Sequence, residues 1–317
     1  MKSTYRFVLC SALVCAPMPA LACSSCGCTL SGDSDSQGFS AQPGLRLELR
    51  YDYLSQSQLR SGSGTVMRSA IAFPAEREIE QGTVNRTGTL SLDYNPNADW
   101  GVNLQLPYLH RAHDTIAQGD TEISSSSSQG IGDVRLIGRY QGFTAARNVG
   151  LQFGLKFPTG RYDQSFKSGP QQGQILDRGL QVGSGSTDLL LGGFFSGNLT
   201  GDLDYFTQAM VALPLRTADN FRPGKALNVN LGARYVANAT FTPELQLNAR
   251  TVWRDSGDQA DADNSGGTSV YLTPGATVVL SDTLNLFGFV QLPVYQRVNG
   301  YQLAPKFIVS IGVRYAF

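Results

Sequence analysis

Over long stretches of this chain the side chains change character at every second residue, and that period fits extended strands with two unlike faces. Leu45, Leu47, Leu49, Tyr51 and Tyr53 share one face, while Arg46, Glu48, Arg50 and Asp52 share the other. Leu227, Val229, Leu231, Ala233 and Tyr235 oppose Asn228, Asn230, Gly232 and Arg234 in the same way. At the C-terminus Phe307, Val309, Ile311, Val313, Tyr315 and Phe317 oppose Ser310, Gly312, Arg314 and Ala316. A helix would scatter each of these sets around its axis. The pattern predicts strands over 45–54, 85–95, 100–111, 131–143, 149–158, 187–197, 203–215, 226–237, 243–254, 268–280, 284–297 and 305–317. Alternation is poorest near 187, 268 and 284, where Leu189 to Leu191 and Phe287 to Val290 offer apolar groups to both faces.

The connections alternate too. Short turns fall at 96–99, 144–148, 198–202, 238–242 and 281–283, and long polar loops at 55–84, 112–130, 159–186, 216–225 and 255–267. The serine run Ser124 to Ser128 reads as a loop tip. A soluble sandwich has no reason to sort its connections by length, whereas an outer-membrane barrel has short periplasmic turns and long extracellular loops. Aromatic residues collect at both levels, with Tyr94, Trp100, Phe143, Tyr205, Tyr235, Tyr315 and Phe317 near the short turns. Tyr53, Tyr108, Phe157, Trp253, Tyr271 and Tyr295 fall near the long loops, so two interfacial girdles are expected. The expected fold is all-β: a transmembrane antiparallel up-and-down β-barrel of about 12 strands, spanning residues 45–317, with both ends in the periplasm.

The first residues have a separate logic. Lys2 and Arg6 precede the apolar run Phe7 to Ala16, and Ala20-Leu21-Ala22 has the form of a cleavage site, so 1–22 is read as a secretory signal peptide. Residues 23–44 would then be a periplasmic N-terminal tail. It carries Cys23, Cys26 and Cys28 in Cys-Ser-Ser-Cys-Gly-Cys, the only cysteines beyond the leader. Thiolates at that spacing suit a soft metal ion such as copper. One disulfide with a free thiol, or acylation of Cys23, are competing readings.

If the oily face meets lipid, the lumen receives Arg46, Arg50, Arg135, Arg139, Lys156, Arg234, Arg250 and Arg314 against Glu48, Asp52, Asp93 and Asp188. Those twelve are the candidate selectivity residues, weighted toward positive charge and therefore toward anions. The alternative is that they pair with one another as a polar core. With 25 cations and 25 acids overall there is no basic stripe for nucleic acid. Catalysis has little to work with: His110 and His113 are the only histidines, and no Gly-x-Ser-x-Gly elbow or His-Glu-x-x-His occurs. A lipid-acting enzyme using His110 is an alternative of another class, but the reading is of a protein that is not an enzyme. The acidic stretch Asp255, Asp258, Asp261 and Asp263 lacks the spacing of a calcium loop and reads as solvated.

Four short motifs in order carry a family resemblance: Gly130-Ile131-Gly132-Asp133, Gly154-Leu155-Lys156-Phe157-Pro158-Thr159-Gly160, Gly183-Ser184-Gly185-Ser186-Thr187-Asp188 and Leu213-Pro214-Leu215. With them the chain resembles the outer-membrane barrels of the MetA pathway of phenol degradation. The resemblance implies a channel or uptake protein, often placed beside catabolism of aromatic or other hydrophobic compounds. With the positive excess of the lumen, the expected function is passive or facilitated passage of a small molecule, aromatic or anionic. Tyr315-Ala316-Phe317 is similar to the terminal signal read by the barrel assembly machinery. The expected partners are outer-membrane lipid, that machinery and a small solute. A metal- or redox-linked role through the three cysteines is the alternative function.

Overall fold

The computed structural model describes residues 43–317. The expected signal peptide, nearly all of the expected tail, and Cys23, Cys26 and Cys28 with any metal or disulfide lie outside the described residues.

Among the described residues the chain forms β1 (Gly44–Gly62), β2 (Gly64–Thr65), β3 (Ile79–Asn95), β4 (Trp100–Ile116), β5 (Ser124–Ile131), β6 (Val134–Tyr140) and β7 (Val149–Phe157). It continues with β8 (Thr187–Thr200), β9 (Leu203–Arg216), β10 (Ala226–Tyr235), β11 (Phe241–Val252), β12 (Gly267–Val279) and β13 (Leu284–Ala316). Each pairs antiparallel with its neighbours, and β13 returns to β1, with Arg46 opposite Ala316 and Tyr53 opposite Val309. The sheet therefore has no free edge and is a closed barrel. Eleven elements make the wall. β2 hangs on the end of β1, and β5 pairs with Tyr108 to Thr115 of β4 above the stretch that β6 occupies.

β13 runs 33 residues and serves two neighbours. Residues 285–298 pair with β12, and residues 298–316 pair with β1. The two halves lie against each other: Gln296 Nε2 donates to the Pro305 carbonyl at 2.9 Å, and the Phe287 ring fills the space that a Cβ on Gly312 would need. Phe289 packs over Gly275 of β12 and Phe206 over Gly232 of β10 by the same device, so inward rings sit where the neighbouring strand has no side chain.

The two faces separate as alternation requires. Leu49, Tyr51, Leu151, Leu231, Leu245 and Ile311 are exposed on the outside, whereas Arg46, Glu48, Asp52, Asn230 and Arg234 are buried inside. This inverts a soluble protein and matches a barrel that meets lipid with its outer face. Near the short turns the girdle is assembled, with Trp100 on Tyr140 at 4.7 Å, Tyr140 on Phe143 at 4.9 Å and Tyr315 on Phe317 at 4.8 Å between ring centroids.

The segments expected at 284–297 and 305–317 form the single element β13, so the wall counts eleven elements and not 12, and two further expectations fail. Ser124 to Ser128 is strand rather than loop tip, and Ser124, Ser126 and Ser128 point into the barrel, where small hydroxyls fit against β4. Tyr271 is 1% exposed, packed on Leu54 and Ile308 instead of standing in the girdle. It shares the inward parity of Ser269 and Thr273 and stands opposite Asn248 of β11. β1, β3 and β4 also run 17 to 19 residues, well past the ~9–11 that would cross a bilayer, and the extra length extends toward the long loops.

Candidate functional site

The glycine-rich motifs are far apart in sequence and meet at one point. Gly132 directly follows β5, its N–H donating to Pro107 O at 2.8 Å, and Asp133 comes next with its carboxylate turned inward. Gly160 N–H donates to Asp133 Oδ1 at 3.1 Å, Ser184 N–H to Oδ2 at 3.0 Å and Ser184 Oγ to Oδ2 at 2.5 Å. Thr159 Oγ1 donates to Gly132 O at 2.7 Å. Gly160 and Gly183 touch backbone to backbone, so closely that a Cβ on Gly183 would lie 2.1 Å from Gly160 O. Lys156 Nζ closes the clamp, 2.8 Å from Asp188, 3.5 Å from Asp133 and 2.7 Å from Ser184 Oγ.

The clamp pins both ends of the loop 158–186, and the loop is drawn over the lumen. Arg111 of β4 donates to Gly179 O at 2.5 Å and Gln181 O at 3.2 Å. Phe166, Leu176 and Leu180 form a small core of the loop's own, and Arg178 stacks over Tyr162 at 4.2 Å while pairing with Asp219 of the next loop. Arg178 to Ser184 thus roof a cavity of about 490 Å³ inside the barrel.

Strand register shows how the wall of that cavity is built. One row crosses six strands as Ile137, Gly154, Leu190, Ala212, Ala226 and Val252, each opposite the next. It is an apolar band facing inward. Two residues further along each strand, toward the long loops, runs a charged row of Arg135, Lys156 and Asp188. On the other side runs a polar row of Arg139, Gln152, Gly192, Met210, Asn228 and Arg250. Beyond it amides join in series: Gln208 donates to Gln152, Asn230 to Gln208, and Asn248 to Asn230, at 2.7, 3.3 and 2.8 Å. The apolar band accounts for the poor alternation near residue 187, because Leu190 faces the lumen while Leu191 faces out. That irregularity was its only sequence signal.

All twelve candidate lumen residues face inward, in three different settings. Toward the short turns they are matched. Asp93 is shared by Arg46 at 3.3 Å and Arg139 at 3.4 Å, Glu48 pairs with Arg314 at 2.8 Å, and Arg234 pairs with Asp204 at 3.2 Å. Lys156 and Asp188 belong to the clamp. Around the cavity Arg50 reaches Asp52 at 3.0 Å, Asp52 accepts from Ser310 at 2.6 Å, and Arg250 donates to Asn228 at 2.9 Å. Arg135 differs from all of these. It presents an exposed side chain to the cavity, and among the described residues its guanidinium makes no hydrogen bond or ion pair. Its charged surroundings are Arg250 and Arg50 on one side and Asp188 and Asp133 on the other.

The two histidines have separate partners. His113 is buried against Thr83 Oγ1 at 2.8 Å, and His110 lies 3.4 Å from Arg86. In the acidic loop each carboxylate has a different partner: Asp255 accepts from Gly224 N–H, Asp258 from Asn220, Asp261 from Asn264, and Asp263 from Arg254. Among the described residues no group of three or more His, Cys, Asp or Glu is placed to hold a metal ion.

No protein-family model and no curated protein matches the chain. Solved structures do. The crystal structure of an outer membrane channel from Pseudomonas putida F1 aligns with 91% of this chain and 100% of its own, at 13% identity and a TM-score of 0.66. The CymD monoaromatic hydrocarbon channel aligns over 87% and 89% at 12% identity, and the KdgM porin in complex with disordered oligogalacturonate over 86% and 99% at 10%. Their TM-scores of 0.43 and 0.42 add no weight. What the first similarity establishes is the fold, a closed antiparallel β-barrel.

Proposed function

We propose that this chain is an outer-membrane channel that passes a small aromatic or anionic molecule. One observation carries the reading: the wall is oily outside and polar inside, and it encloses a roofed cavity with Arg50, Arg111, Arg135, Lys156, Arg178 and Arg250 against Asp52, Asp133, Asp188 and Asp255. Six cations against four acids favour anions in a low-dielectric enclosure. Counting β13 as two crossings, and β5 with β6 as one, gives twelve. In this reading an even number would put both ends of the barrel at the short-turn rim, in the periplasm. The long loops 63–78, 158–186 and 253–266 would then be extracellular, and a leader over 1–22 would direct export.

The clamp unites three of the four motifs behind the MetA resemblance, so their order in sequence has a structural purpose that a chance assortment of glycines would lack. Lys156 and Asp188 act in this reading as supports of the roof, and Arg135, Arg50 and Arg250 set selectivity. The three cysteines near the N-terminus would lie on the periplasmic side, available to a soft metal or a disulfide.

Planar-bilayer recording of the mature protein tests the reading. In a KCl gradient the reversal potential should report anion preference. Absence of single-channel steps, or a preference for K⁺, would overturn it.

A further inference from the structure

We infer that Arg135 and the apolar band beside it form a binding site for an organic carboxylate with an apolar body. The inference rests on the channel reading and gives its solute a chemical class. A guanidinium presents a planar fork of donors that matches a carboxylate in two parallel hydrogen bonds. Every other cation of the cavity wall already donates to a protein group: Arg50 to Asp52, Lys156 to Asp188 and Ser184, Arg178 to Asp219, Arg111 to Asn85 and two carbonyls, Arg250 to Asn228. Arg135 has its fork turned to open space instead, with Arg50 and Arg250 adding positive potential around it. The guanidinium is open to the cavity, so an arriving anion reaches it without breaking a protein contact.

The second half of the argument is the band. Ile137 lies two residues from Arg135 on the same face of β6, about 7 Å along the strand. From Ile137 the row runs on through Gly154, Leu190, Ala212 and Ala226 to Val252. Gly154 lies so close to β6 that a Cβ there would sit 2.3 Å from Leu136 O, so the apolar face is carried by the other five residues. A purely ionic selectivity filter would have no use for five inward aliphatic residues, and a hydrocarbon path would not hold an unmatched guanidinium at its side. A solute with one oxyanion and an apolar body satisfies both. The cavity volume of about 490 Å³ lies in the range of small-molecule sites and exceeds what a bare inorganic anion requires.

Isothermal titration of the full mature protein in detergent tests this with three probes: benzoate, toluene and sulfate. Benzoate should bind more tightly than either of the others. Arg135→Gln should weaken benzoate at least tenfold and leave toluene unchanged, and Arg135→Lys should recover part of the loss, since it keeps the charge without the fork. Leu190→Asn should weaken benzoate and leave sulfate unchanged. Each variant is first shown to be a folded barrel by its heat-dependent gel shift. Equal binding of benzoate to wild type and Arg135→Gln would overturn the site, as would sulfate or toluene binding as well as benzoate. Bilayer recording separates the two claims. Conducting channels with no Arg135-dependent benzoate binding would sink the site alone. Arg135-dependent binding without conductance would sink the channel and leave the site standing.

Discussion

Toward the short turns, Arg46 and Arg139 share the Asp93 carboxylate and Arg314 holds Glu48. Toward the long loops, Arg135 stands in a cavity under a folded loop with no such partner among the described residues. Both regions follow the same inward parity on the same strands. The difference lies in what stands opposite. Near the turns each cation meets an acid on an adjacent or nearby strand, and the pairs lock side chains to the wall. Around the cavity two acids, Asp133 and Asp188, are drawn away to pin the roof, which leaves positive charge over. Charge excess here is a product of loop anchoring, and a tally of inward residues by sign does not show where it falls.

The largest effect that would test this contrast is the loss of Asp93. Asp93→Ala takes one carboxylate from two buried guanidiniums, and removal of one partner from a buried pair costs about 3–5 kcal/mol. Urea unfolding in vesicles should show a loss of that order. A change near zero would mean that the short-turn region is as wet as the cavity. Asp133→Ala comes next. It removes the acceptor of two backbone N–H groups and one hydroxyl, hydrogen bonds to a charged group that contribute about 1.5–3 kcal/mol each, partly offset by freeing the loop. A net loss of about 2–3 kcal/mol is expected, together with faster proteolysis within 160–183 and larger single-channel conductance. Protection of that segment at the wild-type level would show that the roof is held by its own core around Leu180 instead.

The barrel was legible from Leu45 onward because an apolar outer face and a polar interior impose alternation on nearly every strand. Leu47 and Glu48 declare their faces without any knowledge of their neighbours. The inward direction of Arg46, Arg139 and Arg234 was readable for the same reason. Their partners were not: Glu48 and Arg314 lie 266 residues apart, and only closure of the sheet through β13 brings them together. Tyr271 was misplaced because it was read by its aromatic type and not by its parity, which it shares with the inward Ser269 and Thr273. Ser124 to Ser128 was misplaced because small polar residues satisfy a loop and an inward wall equally well. The clamp was half visible. The glycine motifs stood out, but that Asp133 gathers Gly160 and Ser184 depends on two loops meeting in space.

Arg135→Gln should cost no more than about 0.5 kcal/mol of stability, as expected of a side chain away from paired or packed features. It should also move the reversal potential toward zero. This pairing of outcomes is the reverse of the one expected for Asp93→Ala, so the two variants measured together separate a structural charge from a selective one. A stability loss at Arg135 as large as that at Asp93 would merge the two regions and remove the basis for the contrast.

The smallest effect is that of salt. Screening lengths fall from about 10 Å at 0.1 M to about 3 Å at 1 M ionic strength, and screening acts where mobile ions can enter. The cavity admits them, so anion preference at a fixed gradient ratio should decline as total KCl rises. The Asp93 carboxylate and its two guanidiniums are buried with side chains no more than 13% exposed, beyond the reach of most ions. The destabilisation caused by Asp93→Ala should therefore be the same at both concentrations. If it shrank in step with the selectivity, ions would be reaching the short-turn network as freely as the cavity, and the two regions would be one continuous aqueous lumen whose pairs contribute little to holding the barrel together.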